Sequence, residues 1–192
     1  NEIYIGTLDV GFFKETGTNT DPDTVNLAGS NEKLFDKNIC WEPGYTALET
    51  VQVVNEGDLT FDYELLFTDG KDTAPAGSTL ELEDVAQFFD VWVYGHQEEK
   101  ELKLTSYADI TAVDSGWVKA GTLAELLSGK PVLKGVMTRI PKATQTVTEG
   151  EAQTQEPADR YTIALHMKDD ADATVMGHRI GLNVKLVAYQ RM

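Results

Sequence analysis

The chain has 192 residues, a length that suits one domain, and 41% of them are apolar, enough to bury a core. Its 32 acidic residues against 16 basic ones leave a net charge of -16, which repels phosphate backbones and anionic lipid and sets nucleic acid aside as a partner. No run of 18 apolar residues exists, so no membrane-inserted helix is expected, and the single cysteine, Cys40, rules out an internal disulfide.

The chain opens abruptly in strand-like sequence at Asn1, as it would after loss of a leader or after trimming. Over residues 2–13, Ile3 and Ile5 share one phase and Leu8, Val10 and Phe12 the other. The slip at Gly6-Thr7 predicts a bulge or kink in a strand. Residues 15–30 are rich in Thr, Asn, Asp and Gly and predict a long loop, with Asp21-Pro22-Asp23 a solvated acidic turn. Cys40 beside Trp41 reads as a small buried residue. Trp41-Glu42-Pro43-Gly44 carries the signature of a type II turn, because proline presets φ at one corner and glycine accepts positive φ at the next.

A strand is expected over 48–54, a turn at Asn55-Glu56-Gly57-Asp58, and then an alternating strand on Leu59, Phe61, Tyr63, Leu65 and Phe67. Leu82, Val85, Phe88 and Phe89 have helical spacing, and 91–94 reads as a strand. Thr122 and Glu125 form a capping-box pair for a short helix over 122–127 that Gly129 would close. A strand over 132–137 precedes a polar stretch, 144–159, expected to be a mobile loop. Tyr161, Ile163, Leu165 and Met167 alternate, as do Ile180, Leu182, Val184, Leu186 and Ala188, with a turn over 169–174 between the two runs. The fold class implied is all-β: a two-sheet sandwich, jelly-roll-like or Greek-key, with a few short helices in the connections.

Several segments together resemble the TasA/camelysin family of proteins exported through a SipW-type signal peptidase. They are Ile5-Gly6-Thr7-Leu8-Asp9-Val10, then Trp41-Glu42-Pro43-Gly44 followed by Val53-Val54-Asn55-Glu56-Gly57, then the strand from Tyr161 to Met167 with 184–190 closing the domain. The resemblance spans nearly the whole chain and rests on the order and spacing of the segments. It implies a jelly-roll-like sandwich, export, and a role in surface or biofilm-matrix fibres, with self-association or other matrix proteins as partners. In fibre-forming relatives an N-terminal segment completes the next subunit's sheet. On that reading Ile3, Ile5, Leu8 and Val10 form or adjoin the exchanged edge.

Camelysin-type relatives are labelled metallopeptidases, which makes a metalloendopeptidase the second reading. Zinc peptidases place two histidines a helical turn apart around a glutamate, and His96, His166 and His178 have no such spacing. His166 and His178 flank the Asp169, Asp170 and Asp172 turn, so these five residues are the candidates for zinc or calcium. His166 lies on the polar phase of its strand and His178 on the apolar phase of the next, however, so surface histidines beside a solvated acidic turn are the plainer reading. Catalytic residues and cofactors are not assigned: no nucleophile elbow, phosphate loop or dinucleotide fingerprint is present. Trp41, Trp92 and Trp117 leave a third reading, a carbohydrate- or cell-wall-binding platform, against core packing as the commoner use of tryptophan.

Overall fold

A computed structural model describes residues 8–18, 21–27, 33–36, 38–97, 101–137 and 158–191. Ile3 and Ile5 therefore lie outside the described residues, as does nearly all of the polar stretch 144–159. Within the described residues the chain is an all-β two-sheet sandwich. The first sheet holds β1 (Val10–Thr18), β2 (Asp21–Asn26), β3 (Thr46–Asn55), β5 (Phe89–Gly95), β6 (Trp117–Thr122) and β8 (Ala158–Met167). Its order is β2-β1-β3-β8-β5-β6. The second holds β4 (Phe61–Thr73), β7 (Leu133–Met137) and β9 (Arg179–Gln190) in the order β7-β4-β9. Every pairing is antiparallel. Three five-residue helices, α1 (Leu82–Ala86), α2 (Tyr107–Thr111) and α3 (Leu123–Leu127), sit in the connections.

The strand order is Greek-key. The chain crosses between the sheets from β3 to β4 and again from β8 to β9, while β3 pairs with β8 and β4 with β9. With β1 and β5 flanking that pair, β1-β3-β8-β5 over β4-β9 matches strands A-B-E-D over C-F of an immunoglobulin-type sandwich. In such sandwiches a further strand, G, lies on the far side of F. No described strand occupies that side of β9.

Local chemistry explains several elements. Glu42 C=O accepts from Tyr45 N–H at 3.0 Å and Gly44 has φ +87°, which is the expected type II turn over Pro43-Gly44. Thr122 and Glu125 close the capping box, and Gly129 ends α3 at φ +110°. Phe61, Tyr63, Leu65 and Phe67 all point into the core.

Three expectations are overturned. Residues 15–30 are not one long loop, because β1 runs on to Thr18 and pairs with β2, with Pro22 opposite Gly17. This ribbon is the sheet edge, where polar residues and a proline on the outer strand are tolerated. Asp21-Pro22-Asp23 is thereby part of a strand. Cys40 is exposed, because its neighbour Trp41 takes the inward position of this extended segment. The alternation seen in β8 does not give it a polar outer face, since all residues from Thr162 to Met167 are buried. Ile163, Leu165 and Met167 face the main core. Ala164 packs on the other side with Tyr94, Ile110 and Trp117, beneath the segment carrying α2.

Candidate functional site

The inward residues of β9 change character along the strand. Ile180 is 3% exposed and Leu182 is fully buried, but Val184, Leu186 and Ala188, in the same phase, are only half-buried. Their partners in β4 stay sealed: Phe67, Leu65 and Tyr63 lie opposite Val184, Leu186 and Ala188. The loss of cover is therefore on the far side of β9. There a cavity of about 260 Å³ opens between Val184, Lys185, Leu186 and Ala188 and, from the other sheet, Val10, Phe12 and Leu27. β2 does not reach this corner, because its pairing with β1 begins only at Phe13. At the other end of the cleft Lys33 reaches Asn183 through its ammonium group. What remains is an apolar slot about five residues long, roughly 17 Å at strand rise, beside a strand edge that no described strand covers.

The histidines occupy other places. The His166 ring stacks on Tyr107, with centroids 3.4 Å apart and planes within 5°, and its Nδ1 lies 2.7 Å from Thr46 Oγ1. Tyr107 is held in turn by Trp92, whose Nε1–H donates to the phenol oxygen at 3.0 Å. Burial pushes the His166 imidazole below its ordinary value, against the opposing pull of Asp169 and Asp90. His96 Nε2 meets Thr162 Oγ1 at 2.6 Å, while Arg160 reaches from His96 to a two-point contact with Glu15 at 2.5 and 2.7 Å. Burial and the Arg160 charge push His96 down as well.

His178 sits at the entry to β9. Its Nδ1 lies 2.7 Å from Asp72 Oδ2, near the end of β4, and its Nε2 lies 3.0 Å from Ser78 Oγ, in the loop before α1. Asp72 and His178 side chains are 6% and 1% exposed. Sequence reading missed this arrangement. Nothing in the spacing of Asp72, Ser78 and His178 marks it, and only the β4–β9 register brings the three together.

The chain matches no protein-family model, and no curated protein matches it.

The five metal candidates do not converge. His166 and His178 share no partner, one lying within β8 and the other just before β9 of the opposite sheet, and both are buried rather than lying at the surface beside the turn. Asp169 is 83% exposed with a 4.0 Å approach to His166, Asp170 is exposed, and Asp172 accepts from Thr174 N–H to cap a 3-10 turn over Ala173–Val175. Among the described residues no three His, Cys, Asp or Glu side chains gather as metal ligands would. The tryptophans make no common platform either. Trp41 fills the core edge-on to Phe89, Trp117 is 7% exposed, and Trp92 packs beneath Tyr107. Of the assembly candidates, Leu8 is 41% exposed, and Val10 pairs with Asn55 of β3 while lining the apolar slot.

Proposed function

We propose that this protein is a secreted structural subunit of the cell surface or extracellular matrix, which assembles by accepting a β-strand along β9. The observation that carries the reading is the fading burial of Val184, Leu186 and Ala188 beside an apolar slot, on a side of β9 that no described strand occupies. An added strand would pair with the β9 backbone and drop alternate side chains between the two sheets, removing apolar surface from water while satisfying edge N–H and C=O groups. The resemblance to the TasA/camelysin family supports the same reading: it implies an N-terminal segment of another copy as the donor, with Ile3, Ile5, Leu8 and Val10 forming or adjoining the exchanged edge. The charge of -16 on every copy makes such packing salt-dependent.

The test is electron microscopy and sedimentation across a salt series on the native chain and on Val184→Arg and Ala188→Arg, each of which plugs the slot. Assembly that strengthens with salt and is lost in both variants is expected. Variants that assemble as well as the native chain, or a native chain that stays monomeric at every salt concentration, would refute the proposal.

A further inference from the structure

We propose that Ser78, His178 and Asp72 form a nucleophilic triad able to cleave small acyl esters presented at the domain surface. The β4–β9 ladder sets it up. Asp72 faces Ile180 and Thr73 faces Arg179, so His178, one residue before β9, arrives beside the Asp72 carboxylate. With Nδ1–H donating to Asp72 Oδ2 at 2.7 Å, the Nε2 lone pair is left for the Ser78 hydroxyl at 3.0 Å. This is the relation a triad requires: a nucleophile within reach of a base, and the base oriented by a third group. Exposure is graded in the same sense. The side chains of Asp72 and His178 are buried, Ser78 is half-buried, and its neighbours Gly77 and Thr79 are exposed.

Two further observations point beyond a structural latch. Asp72 Oδ1 is buried without a hydrogen-bond partner among the described residues, a destabilising feature in a group whose only visible work is to hold the histidine. The Ser78 loop is also built for a fixed pose. Gly77 takes φ +86°, Ser78 N–H donates to Pro75 C=O at 3.1 Å, and Leu80 N–H donates to Ser78 Oγ at 3.3 Å. The Thr79 N–H, next along the chain, has no hydrogen-bond partner among the described residues and is the donor available to an oxyanion. The loop side chains are small, namely Ala74, Pro75, Ala76 and Gly77, which suits a small acyl group carried on a larger molecule.

In the reaction, Ser78 Oγ bonds to the ester carbonyl carbon as its proton moves to His178 Nε2 and the carbonyl π pair moves onto oxygen. Collapse re-forms the carbonyl and breaks the bond to the leaving alkoxide, which takes the proton from His178. Water then gives a proton to Nε2 and attacks the acyl-serine, and the carboxylic acid departs as Ser78 regains its proton.

The test treats the native chain with a fluorophosphonate probe, maps the adduct by peptide mass spectrometry, and follows hydrolysis of p-nitrophenyl acetate. An adduct on Ser78 is expected, with turnover falling at least about a hundredfold in Ser78→Ala and in Asp72→Asn. If Ser78→Ala fails to fold by circular dichroism, Ser78→Cys keeps the loop, loses the phosphonate adduct and gains an iodoacetamide adduct mapped to residue 78, apart from the one on exposed Cys40. A folded native chain that takes no label on Ser78, or a Ser78→Ala protein that hydrolyses the ester at the native rate, would overturn the proposal.

Discussion

β4 and β9 are neighbours in one sheet, alternate apolar and polar residues equally well, and meet in register, yet one is sealed and the other is not. Leu65 of β4 is fully buried; Leu186, directly opposite on β9, is half-buried. The difference comes from position. β4 lies between two partners, β7 and β9, whereas β9 has β4 on one side and the apolar slot on the other. Alternation in sequence reports which face of a strand seeks the core. It does not report whether this chain supplies the neighbour that completes the cover.

The sharpest way to break the comparison is to truncate both leucines. Leu65→Ala leaves a cavity in a packed interior and should cost about 3 kcal/mol, whereas Leu186→Ala, already open on one side, should cost about 1 kcal/mol. Urea unfolding at low salt and low protein concentration measures both. Equal losses would mean that the slot is filled in solution even without added partners. A second substitution acts on the sealed side alone. Gly135 of β7 faces Tyr63, and a methyl group there would come within 2.3 Å of the phenol. The ring cannot swing aside, because it is buried and its oxygen lies 2.5 Å from both Asp159 Oδ2 and Tyr161 Oη on the opposite sheet. Gly135→Ala should therefore cost about 2 kcal/mol, with hydrogen exchange rising in β7 before β9.

The same contrast shows what was legible beforehand. The type II turn at Pro43-Gly44, the Thr122–Glu125 box and the strands around Phe61 and Ile163 are local signals, each set by a few adjacent residues. The β1–β2 ribbon was hidden because its sequence is rich in Thr, Asn, Asp and Gly, which read as loop residues, whereas a sheet edge tolerates them and a proline on its outer strand. His166 was misjudged because β8 is central, so the polar phase of its pattern is buried beneath Tyr107 rather than open to water. The Ser78–His178 contact joins residues 100 apart and depends on the β4–β9 register, which no short motif encodes. The apolar slot is a property of strand order, and strand order is the least local feature of all.

The smallest effect is set by pH and falls on the six-stranded sheet. His166 and His96 both have imidazoles pushed below the ordinary 6.5, first by burial, so the folded protein favours their neutral forms. The unfolded chain binds protons at these sites more readily. Stability is therefore kept above pH 6.5 and lost as the pH falls from there through the folded-state values. Glu49, raised by burial, works in the opposite sense nearer its ordinary 4.5, which confines the clean window to the region just below 6.5. Urea midpoints taken from about pH 7.5 down to about pH 5.5 should fall steadily in the native chain. In His166→Gln, where the amide can still meet Thr46 but takes up no proton, the slope should flatten. A slope unchanged by that substitution would place the proton uptake on another group and leave the stacked His166–Tyr107 pair a packing feature alone. The difference between Leu65→Ala and Leu186→Ala should be the same at both ends of the range, since both leucines pack into the apolar cluster between the sheets.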